Sequence, residues 1–253
     1  MIELFDHGQI VELRLDRPPV NAINADLLEA LNRGLDDAAR AEARALVISG
    51  QPGMFSAGLD VPGLLRLSRP EMLAFWEQFF GSMGRLAASP VPVAAAITGH
   101  SPAGGAVLAL FCDYRIAARG EFRIGLNEVQ VGLPVPEPVF HAMARTVGRA
   151  QAERLCVRGL LIEPDEARDI GLVHELRPAE EVVARAVAWC DECLSLPQKA
   201  LATTRRLARA DLAGLFENLG RETWEAMNDA WFSEETQATM RALVEKLAER
   251  RKK

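Results

Sequence analysis

Two short apolar runs, residues 45–49 and 91–98, each follow a stretch with helical spacing, and this alternation constrains the fold more than any other feature of the chain. Leucines at 27, 28, 31 and 35 mark one face of a helix of period 3.6 ahead of the first run. A second helical stretch over 70–87 leads to the next run. A small-residue helix then starts at Gly104, with strands near 114–117 and 122–125. The chain opens as a hairpin, with Ile2, Leu4 and Phe5 facing Ile10, Val11, Leu13 and Leu15 across Asp6-His7-Gly8-Gln9. Alternating strands and helices predict a mixed α/β fold. From Pro134 onward the signals are nearly all helical, so residues 1–195 are expected to form the core and 196–253 a C-terminal helical region. Its stripes, Trp224, Met227 and Trp231, then Met240, Leu243, Val244 and Leu247, each need an apolar partner. That partner is either the protein's own core or another subunit.

Composition excludes several classes. With 253 residues, 49% of them hydrophobic, the chain is long enough to bury a substantial core. A net charge of -6 and a pI near 5.4 argue against a nucleic-acid partner, which would call for a basic surface. The basic ending, Arg250, Arg251, Lys252 and Lys253, suits the C-terminal end of a helix. The opening residues read as a strand and not as a basic and apolar leader, so no targeting segment is expected. The most apolar stretch, 91–112, is broken by Pro92, Pro102, Gly104 and Gly105, so no membrane insertion is expected. A cytoplasmic protein is the expectation. Cys112, Cys156, Cys190 and Cys193 are too few for a disulfide scaffold. The last two form a CxxC inside a helical pattern with no second pair to complete a zinc site, so no metal is expected.

Three segments carry chemistry. Gly99-His100-Ser101-Pro102-Ala103 resembles the nucleophile elbow of serine hydrolases. In that elbow the residue after the serine donates its backbone N–H to the oxyanion, and Pro102 has none to give. Two other turns follow apolar strands: Phe55-Ser56-Ala57-Gly58-Leu59-Asp60 and Pro102-Ala103-Gly104-Gly105. If Gly104 opens a helix, its free N–H groups face whatever sits there, and one donor from each turn would make an oxyanion hole. Ordinary capping is the competing reading, with Asp60 as an N-cap before Pro62. The third segment, Ile124-Gly125-Leu126-Asn127-Glu128-Val129-Gln130-Val131-Gly132-Leu133, sets one carboxylate among apolar neighbours. Burial would raise the proton affinity of Glu128 toward that of a general base at neutral pH; a solvent-facing glutamate is the plainer alternative.

Taken together, these segments resemble the crotonase, or enoyl-CoA hydratase and isomerase, superfamily, most closely its 3,2-enoyl-CoA isomerase members. The resemblance runs from Arg17-Pro18-Pro19-Val20-Asn21-Ala22 to Ala167-Arg168-Asp169-Ile170-Gly171-Leu172-Val173 and includes Cys112-Asp113-Tyr114-Arg115-Ile116. It implies a crotonase-like spiral of stacked ββα units, followed by helices that build trimers or pairs of trimers. It also implies an acyl-CoA substrate, no cofactor beyond the coenzyme A that the substrate carries, and backbone oxyanion donors at Ala57 and Gly104. Hydratases of this family use two glutamates, one of them three residues after the oxyanion-hole glycine. Here that position is Val107, which can neither hold water nor exchange a proton. The remaining glutamate matches Glu128. The expected activity is therefore movement of a double bond from C3 to C2 of an acyl-CoA thioester by a one-glutamate proton shuttle. The alternatives are an enoyl-CoA hydratase or another crotonase-type enzyme, and a non-catalytic acyl-CoA-binding oligomer. The 70–87 helix, with Trp76 and Phe79, is either acyl pocket or core.

Overall fold

The computed structural model describes residues 1–217 and 219–250; Arg251, Lys252 and Lys253 of the basic ending lie outside the described residues. Strands β1 (Ile2–Asp6) and β2 (Ile10–Leu15) form the expected antiparallel hairpin, with Gly8 at φ 81° in its turn. The chain continues through α1 (Ala25–Arg40), β3 (Ala45–Ser49), β4 (Gly53–Met54), α2 (Val61–Leu64) and α3 (Arg69–Ala87). Next come β5 (Val93–Ile97), β6 (Gly99–Pro102), α4 (Gly104–Leu110), β7 (Tyr114–Ala118) and β8 (Ile124–Gly125). Helices α5 (Glu137–Val147), α6 (Arg149–Cys156) and α7 (Pro164–Asp169) lead to β9 (Glu175–Arg177) and α8 (Val182–Leu194). Four helices close the chain: α9 (Gln198–Ala208), α10 (Ala210–Glu217), α11 (Arg221–Trp231) and α12 (Glu234–Arg250).

Local chemistry starts and stops these elements. Asn24 caps α1, its side chain accepting from the Leu27 N–H at 2.9 Å, and Leu27, Leu28, Leu31 and Leu35 are the buried stripe. A capping box of Ser68 and Glu71, with Pro70 in the first turn, begins α3. Strand β5 is alanine-rich and buried on both faces, as a central parallel strand must be. Its period of two sends Ala95 and Ile97 into the main core, and Ala94 and Ala96 into a second core with Val47, Ile116 and the α8 residues Val182, Ala186 and Cys190.

The strands pair in two sheets that advance in step. One runs β1-β2-β3-β5-β7-β9 and the other β4-β6-β8, all parallel after the first hairpin. Each passage from the six-stranded sheet to the three-stranded one and on into a helix is one ββα unit, and the units stack as a spiral. Contact between neighbouring units is close: a Cβ on Gly99 would lie 2.0 Å from the Gly53 carbonyl carbon. Strand β9 was not apparent in the sequence, where the helical signal after Pro134 covered it. It has three residues, two of them charged, and exists because it pairs with β7. No helix of the described residues is long and apolar enough to cross a membrane.

Candidate active site

The two glycine turns meet. A Cβ placed on Gly58, where φ is 85°, would stand 3.0 Å from the Ala103 Cβ and 3.2 Å from the Gly104 nitrogen. Only a glycine backbone fits there without parting the turns. Ala103 itself takes φ 45° and ψ -120°, a conformation that disfavours a residue with a Cβ and that starts α4 abruptly at Gly104. The first N–H groups of α4 have no intrahelical acceptor, and the Gly104 N–H takes none elsewhere among the described residues.

On the opposing turn the available donor is not the expected one. The Ala57 N–H donates to the Val20 carbonyl at 2.9 Å and is thereby consumed. Two residues on, the Leu59 N–H has no acceptor among the described residues, while the flanking Gly58 and Asp60 are tied to Ile23. Leu59 also lines both cavities described below, whereas Ala57 lines only the outer one. The unbonded N–H groups of the two turns are therefore those of Leu59 and Gly104, where Ala57 and Gly104 were expected.

A scaffold read only as a motif in the sequence holds this turn. Asn21, at φ 50°, accepts the Arg17 N–H at 2.8 Å and donates to the Phe55 carbonyl at 3.0 Å, while Ser56 Oγ donates back to the Asn21 carbonyl at 2.7 Å. Arg17 pairs with Asp60 at 2.6 Å. Asp60 also caps α2 by accepting the Gly63 N–H at 3.2 Å, so the capping reading holds for that residue while Leu59 and Gly104 stay free. The loop over 17–22 thus sets the backbone of Leu59, whose N–H is unbonded and which lines both cavities.

Glu128 opens a 3-10 turn (Glu128–Val131) that stops at Gly132 in the left-handed conformation. Thr236 of α12 ties this turn down, its hydroxyl donating to the Gly132 carbonyl at 2.6 Å. The glutamate side chain is buried, not solvent-facing, and its Oε2 has no partner among the described residues. Desolvation pushes its pKa up to about 7, against a smaller pull from its own backbone N–H. It stands between an inner cavity of about 20 Å³, walled by Trp76, Phe79, Val107, Val139 and Met227 with Gly104 and Leu59, and an outer one of about 200 Å³ that includes Ala57, Ala103, Asn127 and Met240. Among the described residues no other lining residue of either cavity is ionisable. Val107 is buried on the same inner wall, where it offers methyl groups and no carboxylate.

Ser101 lies buried on β6 with its hydroxyl unbonded, and the adjacent His100 accepts the Arg123 N–H at 3.1 Å, so no base activates it. Cys190 is buried in the second core and points its thiol at the Leu46 carbonyl, 3.6 Å away; all four cysteines are unpaired.

The model of the enoyl-CoA hydratase/isomerase family matches residues 6–252. The chain belongs to that family. Among its relatives, the human mitochondrial enoyl-CoA delta isomerase 1 is 32% identical over 203 residues, covering 79% of this chain and 67% of the human protein. A probable enoyl-CoA hydratase of Mycobacterium tuberculosis is 29% identical over 241 residues, covering 93% of this chain and 91% of that protein. The crystal structure of human mitochondrial delta3-delta2-enoyl-CoA isomerase superimposes with a TM-score of 0.93 at 28% identity, over 98% of both chains. The spiral described above is thus the crotonase fold of the family. Relatives of both activities stand near this family member; local sequence pattern did not reveal the free Leu59 N–H or the hydrogen bonds by which the quoted 17–22 motif holds the 55–60 turn.

Proposed function

We propose that this protein is an enoyl-CoA isomerase that moves a double bond from C3 to C2 of an acyl-CoA thioester. The observation that carries the proposal is the solitary carboxylate. Glu128, poised near pH 7, is the one ionisable side chain on either cavity among the described residues, and Val107 stands where the family's hydratases would carry a second. Water addition needs a positioned and activated water, for which one carboxylate beside a valine is poor machinery. Isomerisation needs a proton taken from C2 and one returned at C4, and one carboxylate serves for both. Glu128 takes the C2 proton as carboxylate, the electrons spread into a dienolate, and the resulting acid protonates C4. The thioester oxygen carries the developing charge and would lie at the Gly104 and Leu59 N–H groups. Each such donor is worth roughly 2.7–4 kcal/mol of transition-state stabilisation, and a positioned base about 10²–10⁴-fold.

Coenzyme A enters as part of the substrate, with no other cofactor in the scheme. The four unpaired cysteines fit a reducing compartment, and we assign the protein to the cytoplasm. We take 196–253 as an assembly region for a homotrimer or a pair of trimers. This suits α9, which has no buried residue and leaves Leu207 71% exposed. The test is a paired assay of the wild type: migration of the double bond in 3-enoyl-CoA should run at least tenfold faster than hydration of 2-enoyl-CoA of the same length. Equal or faster hydration would make this family member a hydratase and leave Glu128 as its base.

A further inference from the structure

The two cavities that meet at Glu128 differ in size and surroundings. Most lining residues of the outer one, about 200 Å³, are half-buried, among them Ala57, Val61, Pro102, Ala103, Asn127 and Leu243, so it leads toward solvent. The inner one, about 20 Å³, is walled by Trp76, Phe79, Val107, Val139 and Met227, none more than 5% exposed. Pro134 also lines it and is exposed, but so small a space gives a coenzyme A arm no passage. Leu59, Glu128 and Leu133 border both cavities and mark their junction. The inner wall is braced from behind. Trp76 meets Phe75 edge-on at 5.5 Å and Trp231 at 6.1 Å, while Phe79 meets Phe80 edge-on at 5.4 Å and Phe80 stacks on Trp224 at 4.9 Å. For either wall ring to retreat, the rings it packs on must move too, and a close-packed interior resists that. Met227, unbranched, is the most adaptable part of the wall. At about 20 Å³ the space holds little more than one water, which has about the bulk of one methyl group.

We propose that the protein selects short acyl chains, about four to six carbons long, and that Trp76, Phe79 and Met227 set the limit. The proposal rests on the reading of this site as an acyl-CoA site. The coenzyme arm then takes the outer side, the reacting carbons lie at the junction beside Glu128, and whatever follows C4 enters the inner cavity. An open apolar tunnel would gain about fourfold in affinity for each further methylene it buries. Here a longer chain either forces the braced rings apart, which overpacks the core, or keeps its tail in water, so the gain stops and reverses.

The experiment measures dissociation constants of saturated acyl-CoA thioesters of four, six, eight, ten and twelve carbons. In the wild type affinity should peak at about four to six carbons and be about tenfold weaker, or more, at ten. Phe79→Ala and Met227→Ala should each shift the peak to longer chains and bring the ten-carbon ligand to within a few fold of the six-carbon one. If Phe79→Ala does not fold, Met227→Ala, which removes a flexible side chain from α11, decides alone. Phe111→Leu removes a ring from the same core but from neither cavity wall, and should keep the wild-type profile. Affinity that climbs through twelve carbons in the wild type, a peak that stays put in the folded wall variants, or one that shifts equally in Phe111→Leu would overturn the proposal. Saturated chains cannot isomerise, so a peak at short length without turnover of 3-hexenoyl-CoA would sink the isomerase reading alone. Binding of no member of the series would sink both.

Discussion

At the scale of single residues the proposed chemistry turns on Glu128. Among the described residues no cation or hydroxyl favours its charged form, so burial dominates and lifts the pKa to about 7. A base is active only as carboxylate, so kcat/KM for isomerisation should rise with pH to a plateau, with its midpoint near 7. A midpoint near 4.5, the value for a solvated glutamate, would show that the carboxylate is not buried in the working enzyme. The sequence displayed this residue through its apolar neighbours. It did not display which N–H of the opposing turn is left free, because Ala57 and Leu59 sit on one turn two residues apart. What separates them is the Val20 carbonyl, brought in from a loop more than thirty residues earlier to occupy one N–H group and leave the other free.

At the scale of elements the site is two turns held in contact by a glycine. Gly58→Ala places a Cβ against Ala103 and Gly104 and adds a positive-φ penalty on the order of 1–3 kcal/mol. We expect at least a tenfold loss of kcat as the Leu59 and Gly104 donors separate, with a smaller change in acyl-CoA affinity. Gly53→Ala is the control: φ is 84°, nearly the same strain, but no atom lies within 4 Å of the added carbon. It should lower the melting temperature and spare kcat; an equal fall in kcat for both variants would deny the contact between the turns a special role. The elements legible in advance were those that announce themselves by long apolar periodicity, such as α1, α3, β3 and β5. Strand β9 was not, since Glu175 and Arg177 carry no apolar signal, and what holds this edge is pairing with β7 and the ion pair of Glu175 with Arg185 at 2.8 Å. The crossing of α11 behind α3, which seats Trp231 on Trp76 and Trp224 on Phe80, likewise depends on contacts that no local window contains.

At the scale of the whole molecule, keeping a carboxylate in an apolar wall lowers stability. The folded-state pKa of Glu128, about 7, lies above the ordinary glutamate value of 4.5, so the native state binds the proton more tightly than the unfolded chain. The stability Glu128 contributes is fully present below pH 4.5 and is lost as pH rises through 7. The wild type should therefore lose about 3 kcal/mol relative to Glu128→Gln across that window, read as the difference between their urea-unfolding free energies at each pH. A difference independent of pH would contradict the buried, protonatable state. The same variant tests the account as a whole, because glutamine keeps the shape of the site yet cannot accept a proton. The deciding measurement is the rate of conversion of 3-enoyl-CoA to 2-enoyl-CoA by Glu128→Gln, with acyl-CoA affinity measured in parallel. We predict a loss of a hundredfold or more with affinity within a few fold of the wild type. A variant that isomerises at near the wild-type rate would contradict the assignment of Glu128 as the proton carrier.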